Sequence, residues 1–216
     1  MGYFTYRIFR DVTLERLAGK VLANLALYEP GAIAGDISYP LFAGSGCSGL
    51  DLCHYHNGDA MMATLGYQFG GVWMDVRYQD GDWWDLTIFQ GTEHVVSHSV
   101  NPWAHDEKVD LTDLEFRIGR IREAWPEHAD RITRYLLPWR EPRSTKTGTV
   151  WVSRSGKAYP TDKYEYGDAY QIFDFASAFG IGKPVAVVTV GPTSPPLLKP
   201  TKPPRRKSTR RTGSDG

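Results

Sequence analysis

The chain has 216 residues, of which 41% are hydrophobic, 23% charged and 13% aromatic, the profile of a soluble globular protein with room for one well-buried core or two small ones. No apolar run approaches the roughly 20 residues of a membrane span, and two cysteines, Cys47 and Cys53, exclude a disulfide framework and make reduced thiols the expectation. The formal charge of zero hides a split: residues 199–216 hold seven Lys/Arg and one acid, which leaves 18 bases and 24 acids in residues 1–198, an acidic body with a basic tail.

"MGYFTYRIFRDVTLERLAGK" has neither the apolar region nor the small-residue cleavage site of a secretory signal. Tyr6 stands where a myristoylation motif wants Ser or Thr. The expected compartment is therefore the cytoplasm. "YFTYRIF" (3–9) alternates as a strand does. A helix comes next, with Leu14, Leu17, Val21, Leu22 and Leu25 at helical spacing, Thr13 as its N-cap and Pro30-Gly31 closing it. Residues 30–60 are Gly-rich and read as loops with one or two short strands.

Residues 72–100 read as an antiparallel meander. Val72, Met74, Val76 and Tyr78 form one face of the first strand, and Trp84, Leu86 and Ile88 the matching set of the second. Both sets are even-numbered, so they share a face only if an odd number of residues connects the strands. A three-residue loop, Asp80 to Asp82, is expected, with Val76 opposite Leu86. A two-residue Gly91-Thr92 turn, glycine first as a type II′ turn prefers, then sets Ile88 opposite Val95. The second face carries the rows Trp73–Phe89–His94, Asp75–Thr87–Val96 and Arg77–Asp85–His98.

Two helices are expected over about 110–138, with Thr112 and Glu115 as a capping box and Pro126 at the first turn of the second. "PRSTKTGT" (142–149) reads as a loop, and "VWVSRSGKAYP" as a hairpin turning at Ser155-Gly156. A short helix is expected after it, with Asp168 as N-cap and Gly180 past its end, then the buried-type strand 184–190. The expected class is α+β, with an N-terminal strand-helix unit, the meander, the helix pair and a C-terminal hairpin-helix-strand unit. One domain over 1–191 is expected, with an alternative boundary near 141–149. Residues 192–216 are expected to be a disordered basic tail.

Motifs that name a reaction are weak. "GSGCSG" (44–49) matches G-x-G-x-x-G, yet the next segment, "LDLCHYHNGD", is too short and broken for the required helix, and no acid stands about 20 residues on. No Gly-Lys-Ser/Thr occurs. In an extended strand His54 and His56 point the same way, about 6.6 Å apart, and with Cys47, Cys53 or Asp59 they offer a metal site. The H-x-H-x-D-H pattern is not met, because Gly58 and Asp59 occupy its last two places. His94 and His98, about 13 Å apart on one strand, do not share an ion. Cys47 or Cys53 beside a histidine has no evident oxyanion hole, and Ser48 lacks the G-x-S-x-G elbow because Leu50 ends it.

The reading that remains is a non-catalytic protein-binding module of immunity or adaptor type. Its contact face is the meander's mixed face: Trp73, Arg77, Trp83, Asp85, Phe89, His94 and His98, rich in the aromatic and Arg residues of interface centres. The alternatives are a metal-assisted hydrolase at His54/His56, an acid–base hydrolase at Asp85/His98, and a nucleic-acid-associated protein acting through the basic residues of 199–211. No motif calls for a cofactor. The protein partner and the oligomeric state are not legible.

Overall fold

The computed structural model describes residues 3–27, 35, 37–52, 58–79, 83–100, 111–137, 140–191 and 195–201. Eight strands build a central sheet: β1 (Tyr3–Arg10), β2 (Ile37–Gly44), β3 (Cys47–Asp51), β4 (Val72–Gln79), β5 (Trp83–Gln90), β6 (Glu93–Val100), β9 (Ala186–Val190) and β10 (Leu197–Pro200). The sheet is wholly antiparallel, in the order β10-β9-β2-β3-β1-β4-β5-β6. A separate hairpin pairs β7 (Arg140–Thr145) with β8 (Gly148–Ser153). The helices are α1 (Leu14–Leu25), α2 (Gly58–Phe69), α3 (Leu111–Ala124), α4 (Ala129–Tyr135) and α5 (Gln171–Ala178). The class is α+β, as the mixed pattern implies.

Each face of the sheet has its own core, because the strands alternate apolar residues toward both sides. On one side Phe9, Leu41, Leu50, Trp73 and Val188 pack with Leu17, Val21 and Leu25 of α1 and Leu65 of α2. On the other, Ile8, Met74, Val76, Trp84, Leu86 and Ile88 pack with Ile121, Trp125, Ile132, Tyr135, Ile172 and Phe175. Residues on both sides of 141–149 thus share this second core, and β9 joins the main sheet.

Thr13 caps α1, its hydroxyl accepting from the Arg16 N–H at 3.3 Å, and Leu17, Val21 and Leu25 are its buried stripe. The helix ends at Leu25, ahead of Pro30-Gly31, which lies outside the described residues. Helix α2 was not legible in the sequence. Its apolar and small residues show no clean stripe; it lies beside α1, and its Leu65 joins the core on that face of the sheet. Asn24 and Gln68 exchange side-chain hydrogen bonds of 3.2 and 2.9 Å across the two helices. At Gly66 a Cβ would lie 2.1 Å from the Trp73 ring.

The first meander register is the expected one: Val76 faces Leu86, and Gln79 opposite Trp83 leaves three residues between the strands. Those three, 80–82, lie outside the described residues. The second turn has the expected two residues, with Gln90 opposite Glu93 and Phe89 opposite His94. A β-bulge then shifts the register, so that Ile88 meets Val96 instead of Val95. The bulge has a packing reason. Simple alternation would send one of the adjacent valines 95 and 96 to each face, whereas here both pack against the same core. His98 therefore lies opposite Leu86, and Ser99 takes the place opposite Asp85.

Elsewhere the structure corrects local readings. "GSGCSG" is no loop but the tight β2–β3 hairpin, Gly44 opposite Cys47. Residues 142–149 form β7 and the start of β8, and the hairpin turns at Lys146-Thr147, not Ser155-Gly156; Thr and Val favour the strands, and Gly148 at φ 131° lets the chain leave the turn. Helix α3 begins at Leu111, ahead of the expected cap at Thr112. Pro126 opens a 3-10 turn, Pro126–His128, before α4. Asp168 accepts from the Tyr170 N–H at 2.8 Å, two residues short of the cap position at Tyr170.

The sheet also runs past residue 191, because Leu197 and Leu198 pair with β9. Thr201 N–H donates to the Val185 carbonyl at 3.1 Å, and alternation along the strand turns the main-chain groups of Leu198 and Pro200 outward. A proline at an outward position offers no donor to another strand, which blunts this sheet edge.

Candidate functional site

The meander's second face is half covered. Trp73 is 2% exposed, with its ring stacked on Phe89 at 4.1 Å and its indole N–H donating to the Gly91 carbonyl at 2.9 Å. Asp75 is also 2% exposed and pairs with Arg7 of β1: Nε to Oδ1 at 2.6 Å and Nη2 to Oδ2 at 3.0 Å. The Arg7 guanidinium lies 5.0 Å from the Trp73 ring. Arg77 adds a third contact to Asp75 at 3.4 Å. Buried Trp73 is thus structural, and it drops out of any docking face. Arg77 and His94 are exposed, and Trp83, Asp85 and Phe89 half-buried.

Asp85 and His98 lie on opposite faces of the sheet, so no acid–base pair forms between them. Burial raises the Asp85 pKa, opposed by neighbouring Arg77. Burial and then the nearby Arg117 push His98 down to about 4, with Asp113 partly opposing. Arg117 of α3 is held close, donating to the Ser97 carbonyl at 2.8 Å and pairing with Asp113 at 2.6 Å. A neutral, core-side histidine of this kind makes stability fall in acid. Its folded pKa lies below its unfolded one, so the unfolded chain takes up the proton first as pH drops below 6.5. His98 should therefore cost the fold about 2–3 kcal/mol between pH 6.5 and 4. Urea titrations of the protein and of His98→Gln across that range read this as a steeper loss in the unsubstituted chain. Parallel curves would rule out a His98 held neutral by the fold.

Cys47 is buried, its thiol pushed up to about 11 by desolvation and directed at the Phe179 carbonyl, 3.6 Å away. A protonated, shielded thiol is a poor nucleophile. Cys53, His54 and His56 lie outside the described residues. Among the described residues no three His, Cys, Asp or Glu side chains converge as metal ligands, and no helix is long and apolar enough to cross a membrane.

A second surface, which sequence reasoning missed, lies on α5 and the loop before it. Tyr170 and Phe173 are 46% and 37% exposed and stack on each other, ring centroids 6.0 Å apart. Both rest on buried Tyr78 at the end of β4, at 5.8 and 6.0 Å, and Tyr164 closes the cluster. Helical spacing assigned Tyr170 and Phe173 to a helix, but only the loop's path brings Tyr164 and Tyr78 to it.

Beside the rings, the outer side of α5 and α4 borders a cavity of about 340 Å³ lined by Arg131, Tyr135, Tyr159, Asp162, Asp174 and Ser177, among others. Two aspartates hold the loop that walls it. Asp162 accepts from the Tyr135 hydroxyl and the Tyr159 N–H, both at 2.9 Å. Burial, then the bond to Asp162, raises the Tyr135 pKa and keeps that hydroxyl a donor. Asp174 Oδ2 accepts the N–H groups of Lys163 and Tyr164 at 2.8 and 2.7 Å.

These features define a mixed α+β protein with a central antiparallel sheet, helices on both faces, and an aromatic surface beside a polar cavity. No protein-family model, curated protein or solved structure matches the chain.

Proposed function

We propose that the chain is a non-catalytic protein-binding module, adaptor-like or immunity-type, acting in the cytoplasm. The supporting observation is the Tyr164–Tyr170–Phe173 cluster on Tyr78. Rigid tyrosine and phenylalanine rings, half in solvent and held by their neighbours, supply contact area at little entropic cost. Asp85 and His98 lie on opposite faces of the sheet, which counts against the acid–base alternative. The open half of the meander face, Arg77, Trp83, Asp85, Phe89 and His94, is the second contact area this reading allows.

Affinity capture followed by titration of the captured protein tests the proposal with two variants. Tyr170→Ser/Phe173→Ser should keep the fold and weaken the partner by more than about tenfold. Trp83→Ser should leave binding within about twofold if the α5 surface carries the contact. Loss in Trp83→Ser alone moves the contact to the sheet face. A partner held equally by both variants sinks both surfaces.

A further inference from the structure

We infer that the cavity between α4, α5 and the 159–164 loop is a subsite for one cationic side chain, arginine or lysine, presented by the protein partner. This inference rests on the protein-binding reading and gives that partner a chemical character.

Among the described residues, the cavity lining carries two carboxylates against one guanidinium. Asp162 uses both oxygens within the fold. Asp174 uses only Oδ2, which leaves Oδ1 as an acceptor on the cavity wall. Arg131, which supplies that guanidinium, donates to the Ala178 carbonyl at the C-terminal end of α5, where a positive charge offsets the helix's partial negative charge. Other cations nearby are also engaged: Arg134 lies 4.8 Å from the Tyr159 ring, Lys163 lies 4.9 Å from the Tyr164 ring, and Lys157 donates to the Asp162 carbonyl at 2.7 Å. The cavity is thus faced by an open carboxylate oxygen, the Arg131 guanidinium beyond its bond to Ala178, the Thr161 and Ser177 side chains, and the rings of Tyr135 and Tyr159. A guanidinium or ammonium group finds an ion pair, hydroxyl acceptors and aromatic walls there. An anion meets the two carboxylates as repulsion, set against the Arg131 guanidinium.

The discriminating variant is Asp174→Asn. Its amide oxygen can still accept the Lys163 and Tyr164 N–H groups, so the loop keeps its anchor while the open acceptor becomes an NH2 donor. N-acetyl-arginine amide is titrated into the full chain and followed by NMR shifts. Millimolar binding is expected, with perturbations at Ser177 and Tyr159, and a loss of at least about tenfold in Asp174→Asn. N-acetyl-glutamate amide should not bind there. Equal binding of the arginine probe by both proteins, no binding to the unsubstituted chain, or preference for the glutamate probe would each overturn the subsite. The two readings fail separately. A cavity that binds the cation in a chain whose partner ignores Tyr170 and Phe173 leaves the subsite standing and removes the aromatic docking surface.

Discussion

Asp75→Ala should cost about 3–5 kcal/mol of folding stability, among the largest effects of any single substitution outside the apolar core. Two side chains of opposite charge, 7% and 3% exposed, meet here in a bidentate pair. Removing the carboxylate leaves the Arg7 guanidinium desolvated against the Trp73 ring, with its bidentate partner gone. The cost comes from taking the bidentate carboxylate away from a buried charge and not from the attraction alone. A chain with both groups replaced by apolar residues, Arg7→Met/Asp75→Leu, should accordingly be more stable than Asp75→Ala by itself. Urea denaturation of the three proteins at neutral pH, compared at equal m-value, measures the difference. A loss below about 1 kcal/mol in Asp75→Ala would mean that water reaches the pair, and the half-covered face would then have to be reread as open.

That pair marks where sequence reading stops. Alternation along residues 72–90 identifies which side chains share a face, and parity then requires the three-residue connection and the Val76–Leu86 register that the structure contains. Neither argument says which strand lies on the other side of β4. Arg7 is 68 residues from Asp75, and only the placement of β1 between β3 and β4 makes them neighbours. Arg77, the nearer basic residue and the one the expected rows place beside Asp85, also contacts Asp75. The second meander register failed for a local reason that can be generalised. Adjacent valines at 95 and 96 break strict alternation, and a bulge is how a strand keeps both on one core. Such a doublet is a signal that register arithmetic should stop there. The α5 surface was hidden differently. Tyr164, Tyr170 and Phe173 are visible as an aromatic-rich stretch, but their exposure depends on the loop that Asp162 and Asp174 anchor. No periodicity encodes that anchoring.

Gly44→Ala is expected to destabilise the fold by about 3 kcal/mol or more, because the added methyl has no space and the obstacle is main chain. A Cβ built on Gly44 falls 1.8 Å from the Phe179 carbonyl oxygen, and flexible side chains cannot relieve that overlap. From the other side, a Cβ on Gly180 falls 2.8 Å from the Gly44 Cα. Gly180, at φ 78°, ends α5. Its N–H donates to the Ser177 carbonyl, and the Ile181 N–H donates to that of Ala176, the paired bonds of a Schellman cap. The β2–β3 hairpin and the end of α5 therefore touch backbone to backbone through two glycines, which gives "GSGCSG" a packing role in place of the phosphate-binding one its spacing suggests. Two readouts separate these roles. If packing governs, Gly44→Ala lowers the unfolding midpoint with no nucleotide present, and added nucleotide changes neither protein. Stabilisation of the unsubstituted chain by a nucleotide, absent in Gly44→Ala, would restore the phosphate reading. Gly180→Ala should be destabilised as well, since it meets both the contact and the positive φ. The double variant should lose less than the sum of the two single losses, because both methyls push the same pair of segments apart.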